Sequence, residues 1–194
     1  MSGWTATQAR AARLRSLLLG THQWRTAHEV VTWFGAMQAQ DLASALWSLG
    51  LRLPGSTESD MLTALEQGQI LRTWPMRGTI HLVPSVDAHW MLDLMGSTML
   101  ATSHRRRENL GLTQQDTDRA TTALADALSG SRRLTRTQAL STINEAGVTT
   151  EGQRGYHLLW YAALTGVTCI GPLVDGEQTF VLLDEWVSHP RRLD

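Results

Sequence analysis

The chain has 194 residues, a formal net charge of −1 with histidine neutral, 42% hydrophobic and 18% charged residues. That composition is too apolar for a disordered chain, and the charge balance excludes a highly basic nucleic-acid binder at the level of total charge. The single cysteine, Cys169, excludes an intrachain disulfide framework and a cysteine-based zinc site and fits a reducing compartment.

The length fits one large domain or two small ones. No apolar run approaches the roughly 18 residues of a membrane span, and the first fifteen residues lack the apolar stretch and cleavage site of a signal peptide. The expected location is therefore the cytoplasm. All 17 cationic side chains are arginine. A GC-rich genome accounts for the missing lysine, but not for the grouping of Arg105–Arg107, of Arg132, Arg133 and Arg136, and of Arg191 with Arg192.

In chain order, Thr7 to Leu19 reads as a helix, with Ala12, Leu14, Leu17 and Leu18 near helical spacing and Gly20 as its stop. Thr26 and Glu29 form a capping-box pattern opening a second helix through Val30, Trp33 and Phe34. A break follows at Gln38 to Gln40. Asp41 caps a third helix carrying Leu42, Ala45, Leu46 and Leu49. After the turn Pro54-Gly55, a further helix begins at Ser59 and ends near Gly68. Ile70 to Val83 reads as two strands around a connection from Pro75 to Gly78. Helices followed by a hairpin make a winged helix, whose helix-turn-helix would be Ala27–Phe34 and Asp41–Leu49.

Val86 to Arg107 reads as one long or two shorter helices, and Thr113 to Leu128 as another. Thr135 caps a helix ending at Gly147, and Thr150 caps one running through Tyr156, Trp160 and Leu164. Val167–Ile170 and Phe180–Leu183 are strands across a turn from Gly171 to Gln178. The order helix, turn, helix, hairpin thus occurs twice without close residue-by-residue similarity. The expected fold is mainly α with small β-hairpins, as tandem winged helices. The expected domains are 1–95 and 96–194, the boundary falling in the helical region between Met95 and Thr113.

Chemistry is sparse. The seven histidines form no HExxH and no tight pair, so no metal or other cofactor is expected. His89 and His157 read as satisfied core or surface histidines, and Cys169 as a buried small hydrophobe. The unusual string is Met37-Gln-Ala-Gln-Asp41. Residues two apart on a helix point about 200° apart, whereas in an extended segment they share a side. Two carboxamides on one side orient a water or stabilise charge but take no proton at neutral pH. Equally, they satisfy helix ends in a polar turn. A second string, Arg72-Thr-Trp-Pro-Met-Arg77-Gly-Thr-Ile-His81, puts cations and an aromatic on one hairpin. It suits a phosphate backbone, or a packed hairpin with a core Trp74 and solvated arginines.

Together the two strings, Gln38-Ala-Gln40-Asp41 and Arg72-Thr-Trp74-Pro-Met-Arg77-Gly-Thr-Ile-His81-Leu, resemble the AlkZ/YcaQ-type winged-helix DNA glycosylases. The resemblance runs from about Ala9 to Trp186. It implies tandem winged helices followed by a small β-barrel, in an enzyme that needs no metal; the expected partner is double-stranded DNA, the expected state a monomer and the expected place the nucleoid. The reaction implied is hydrolysis of the bond between deoxyribose and an alkylated purine, interstrand-crosslinked bases included. The family's Gln-x-Gln motif falls on Gln38 and Gln40, the implied catalytic pair, with Asp41 beside it as a helix cap. Arg72, Trp74, Arg77 and His81 are the implied DNA-binding residues. Family members are longer, and this sequence stops just after the point where their third winged helix begins. The expectation is a fragment or a short relative with weak DNA binding. The competing readings are a non-catalytic winged-helix regulator and an inactive truncated relative acting only as a folded scaffold, of which the regulator is the main rival. Against it, Leu42, Ala43, Ala45 and Leu46 offer no base-reading side chain on the helix Asp41–Leu49.

Overall fold

The computed structural model describes residues 3–20 and 24–193. Its helices begin where short polar residues can cap them. Thr5 and Gln8 open α1 (Ala6–Ser16), and Thr26 and Glu29 open α2 (Ala27–Phe34), each as a reciprocal capping box. α1 ends three residues earlier than its spacing suggested and buries none of its own residues. Only Leu18, beyond its end and at φ 55°, reaches the core. After α2 comes a two-residue strand, β1 (Met37–Gln38), and then α3 (Leu42–Gly50), capped by Asp41 as expected. α4 (Glu58–Glu66) starts one residue before Ser59, because Thr57 and Asp60 form another capping box.

The hairpin β2 (Ile70–Met76) and β3 (Thr79–Pro84) differs from its expected form in one respect. Pro75 lies inside β2, where the register shifts between Thr73 and Met76. A bulge tolerates the missing N–H. The turn is therefore Arg77-Gly78 alone, both at positive φ (54° and 69°), as a two-residue type I′ hairpin requires.

A 3₁₀ turn at Ser85–Asp87 leads into two helices, α5 (Ala88–Thr102) and α6 (His104–Asn109), followed by α7 (Gln114–Leu128). A second two-residue strand, β4 (Leu134–Thr135), precedes α8 (Arg136–Glu145), which Thr135 caps. α9 (Arg154–Leu164) is not capped by Thr150 as expected. Its N-cap is Gln153, without a side-chain bond, while Thr150 exchanges two hydrogen bonds with the Asn144 carboxamide. The last hairpin, β5 (Thr168–Val174) and β6 (Glu177–Leu182), turns at Asp175-Gly176, again both at positive φ. α10 (Leu183–Trp186) closes the set.

The six strands of the described residues join one antiparallel sheet, in the order β1-β3-β2-β5-β6-β4. Each half contributes a hairpin and a short outer strand, and the halves meet where Arg72 on β2 pairs with Ile170 on β5. The core has two parts. A smaller one holds α2, α3 and α4 against Ile70 and Leu82. A larger one gathers Leu71, Trp74 and Val83 with α5, α7, α8, α9 and the second hairpin. α9 is buried on nearly every side, nine of its eleven residues being buried, which makes it a core helix rather than a surface reader. It packs against α5 at Gly96, where an added Cβ would stand 2.8 Å from the Leu164 carbonyl oxygen.

Candidate functional site

The strand β1 is too short to persist alone and exists by pairing with β3. Met37 faces Leu82 and Gln38 faces His81, and the Ala39 N–H donates to the Ile80 carbonyl at 2.8 Å. The segment 37–40 is therefore extended. Ala39 points into the core while Gln38 and Gln40 are both exposed on its other side, as the alternation of a strand requires.

The two carboxamides are held differently. Gln40 Oε1 accepts from the Ile80 N–H at 3.1 Å, which fixes the orientation of its amide and leaves the NH₂ outward. Gln38 makes no side-chain hydrogen bond among the described residues and presents both its oxygen and its NH₂. Asp41 is spent on its cap: it accepts from the Ser44 N–H at 2.8 Å, and its bonds to Ser44 hold the carboxyl below the usual aspartate range. It stays ionised and occupied at neutral pH.

Of the four hairpin residues expected to meet DNA, only Arg77, at the turn, is exposed. Arg72 is 4% exposed, Trp74 2% and His81 2%. Arg72 Nη2 donates to the Ala39 carbonyl at 3.0 Å, with a longer contact from Nη1 to Gln178 Oε1, and its Nε has no partner among the described residues. Burial lowers its pKa, partly offset by Asp41. The guanidinium thus braces the chain between the two glutamines from the core side.

His81 lies opposite both Gln38 and Thr73, so these three side chains form one row across the sheet. Burial lowers the His81 pKa below its ordinary value, and the ring is neutral at pH 7. Its Nδ1 lies 2.9 Å from the Thr79 carbonyl, which assigns the proton to Nδ1 and the lone pair to Nε2. Thr73 Oγ1 and Trp74 Nε1 are buried without partners among the described residues.

A family model described as DNA glycosylase AlkZ-like matches residues 31–194. The chain belongs to this family. Its fold is that of the DNA glycosylase AlkZ of Streptomyces sahachiroi, with a TM-score of 0.77 at 24% identity. The match covers 94% of this chain and 50% of the Streptomyces chain, so the chain spans about half the length of that glycosylase. No curated protein matches it.

Within this AlkZ-like chain, the described residues hold no group of three or more metal-ligating side chains, and no described helix is long and apolar enough to cross a membrane. Sequence reasoning did not find Gln178 or Thr73. Gln178 is 106 residues from the arginine it contacts, and only the meeting of β2 with β5 brings them together.

Neither His89 nor His157 is fully satisfied among the described residues. His89 Nε2 meets Asp184 Oδ1 at 2.7 Å, but its Nδ1 is an orphan, as is Nε2 of His157. Burial, with Arg107 and Arg106 nearby, pushes the His157 pKa down from 6.5 to about 4. The unfolded chain then binds a proton near pH 6.5 that the folded chain refuses until about pH 4, so this histidine removes stability as pH falls through that window. His157→Gln is expected to lose less stability between pH 7 and pH 4 than the parent. Urea midpoints across this range provide the measurement, and parallel curves would contradict the assignment.

Proposed function

We propose that this chain carries the catalytic portion of a monofunctional DNA glycosylase that hydrolyses the N-glycosidic bond of alkylated purines in duplex DNA, crosslinked bases included. The observation that supports it is the extended segment 37–40, which puts Gln38 and Gln40 on one exposed side and ties Gln40 to the β3 backbone. Such a pair is preorganised, and dipoles that need no reorientation are effective stabilisers of developing charge.

The chemistry suits amides. A purine alkylated on its ring nitrogen is cationic and leaves as a neutral base, taking the electron pair of the C1′–N bond without a general acid. A water oxygen then bonds to C1′ of the oxocarbenium-like sugar, and its proton passes to solvent or to a neighbouring lone pair. Neutral leaving groups usually need two carboxylates instead. Gln38 holds the water, Gln40 fixes the local geometry, and His81, paired with Gln38 across the sheet, supplies Nε2 as an unprotonated acceptor. Arg72 positions the pair through Ala39, Trp74 packs beneath the hairpin, and Arg77 lies on the phosphate backbone. The enzyme acts as a monomer, without metal, in the nucleoid.

In this reading the halves are tandem winged helices: α2, α3, α4 and β2–β3, then α7, α8, α9 and β5–β6. The groove-reading position falls on the helix before each hairpin, which is α4 and not Asp41–Leu49. α4 exposes Glu58, Asp60 and Glu66, and α9 is buried. Carboxylates facing phosphate disfavour the regulator reading. Release of free alkylated purine from methylated duplex DNA by the purified chain tests the proposal. Tight sequence-selective binding without any base release would overturn it.

A further inference from the structure

The arginine groups are used unequally. Arg132 donates to the Ser129 and Asp126 carbonyls, and Arg133 to the Glu66 carboxylate. Arg191 pairs with Asp87, and Arg192 lies near Asp184 and Asp93. In α6, Arg107 lies over the Tyr161 ring at 5.3 Å, while Arg105 and Arg106 have no hydrogen-bond or ion-pair partner among the described residues.

Arg106 stands at the rim of a cavity of about 300 Å³, together with Gly78 of the β2–β3 turn and Gln153, Tyr156, His157 and Trp160 of the start of α9. No carboxylate lines it. α9 has no side-chain cap, and the Tyr156 N–H at its first turn finds no acceptor among the described residues. His157 is only 6% exposed with Nε2 unpartnered, and its ring is 5.0 Å from that of Trp160. A buried polar group left without a partner is rare enough to need a reason. The walls therefore offer a free guanidinium, a free helix N–H and an exposed phenol ring, with the unsatisfied imidazole nitrogen buried behind them. This is the chemistry of an anion carried next to a planar group.

We propose that this cavity seats one phosphodiester of a DNA strand, with Arg106 and the Tyr156 N–H on the phosphate oxygens and the adjoining nucleoside against the Tyr156 ring. The proposal rests on the glycosylase reading above and says where the damaged duplex runs. Gly78 is three residues along the hairpin from His81, the neighbour of Gln38, which is ~10 Å at strand rise. At about 3.4 Å per base pair, the phosphate belongs to a nucleotide roughly three base pairs from the alkylated purine.

The test is a phosphate scan. Duplexes carrying one alkylated purine are prepared with a neutral methylphosphonate at each position in turn, and affinity and base release are measured for the parent and for Arg106→Gln. Arg106 is exposed and unpartnered, so its replacement disturbs no fold contact. Neutralising a phosphate two to four base pairs from the lesion is expected to weaken binding by the parent roughly 5- to 10-fold. Arg106→Gln should lose a similar factor on the unmodified duplex and become indifferent to that methylphosphonate. If Arg106→Gln responds like the parent at every position, if no position in that range matters to the parent, or if the parent does not bind the duplex, the cavity is not a phosphate site. Base release separates the two claims. A parent that shows the expected scan but frees no purine keeps the cavity and ends the glycosylase reading. A parent that frees purine with the same scan as Arg106→Gln does the reverse.

Discussion

Gln38→Ala is expected to slow release of an alkylated purine by about 10- to 1000-fold, by analogy with the removal of a preorganised dipole from a developing charge. Stability should not change, because the Gln38 side chain is exposed and makes no internal bond. Gln40→Ala is expected to slow release similarly but also to lose about 1 kcal/mol of stability, since the Ile80 N–H loses its acceptor. Gln40→Glu keeps an acceptor for that N–H and should recover the stability. DNA affinity should be nearly unchanged in all three, as neither glutamine needs a phosphate. Single-turnover release and urea unfolding measure the two effects. Release at the parental rate from both alanine variants would remove the glutamines from the reaction.

Arg72→Met separates bracing from DNA contact. Two opposing terms of similar size act on stability. The Ala39 carbonyl loses a charged donor, a loss of about 1.5–3 kcal/mol, while a guanidinium 4% exposed no longer has to be desolvated, a gain of the same order. Stability is expected to stay within about 1 kcal/mol of the parent. Base release at saturating DNA should nevertheless fall at least ~10-fold, because the segment between the two glutamines loses its anchor. The salt dependence of DNA binding should be unaltered. Arg77→Ala, at the exposed turn, should lower the slope of log affinity against log salt by about one. A slope reduced equally by both substitutions would place Arg72 on the phosphate instead.

Some of the chain was legible because the interactions concerned are local. The caps at Thr26, Asp41 and Thr135 are read within four residues, where the N-cap side chain and the N3 group meet whatever the rest of the protein does. The second pass of the helix-and-hairpin order was visible for the same reason. Thr150 shows the limit of such reading. Its sequence suits a cap, yet Asn144, six residues before it, takes both its N–H and its hydroxyl.

By itself the sequence determined the helices other than α10, the existence of two hairpins though not the turn of the second, which is Asp175-Gly176 rather than Gly171 to Gln178, and the two strings that carry the family resemblance. It also determined the alternation that puts Gln38 and Gln40 on one side once the chain is extended. What only the tertiary structure decided is that the segment is extended at all. β1 and β4 are two residues each and carry no periodicity, and they are strands because β3 and β6 supply their partners. The same holds for the difference between Arg72 and Arg77, which read alike on one hairpin. The contact of β2 with β5 and the Ala39 carbonyl enclose the first, and a two-residue turn exposes the second. Burial and hydrogen-bond partners are set by residues tens of positions away, and a side chain's charge carries no record of them.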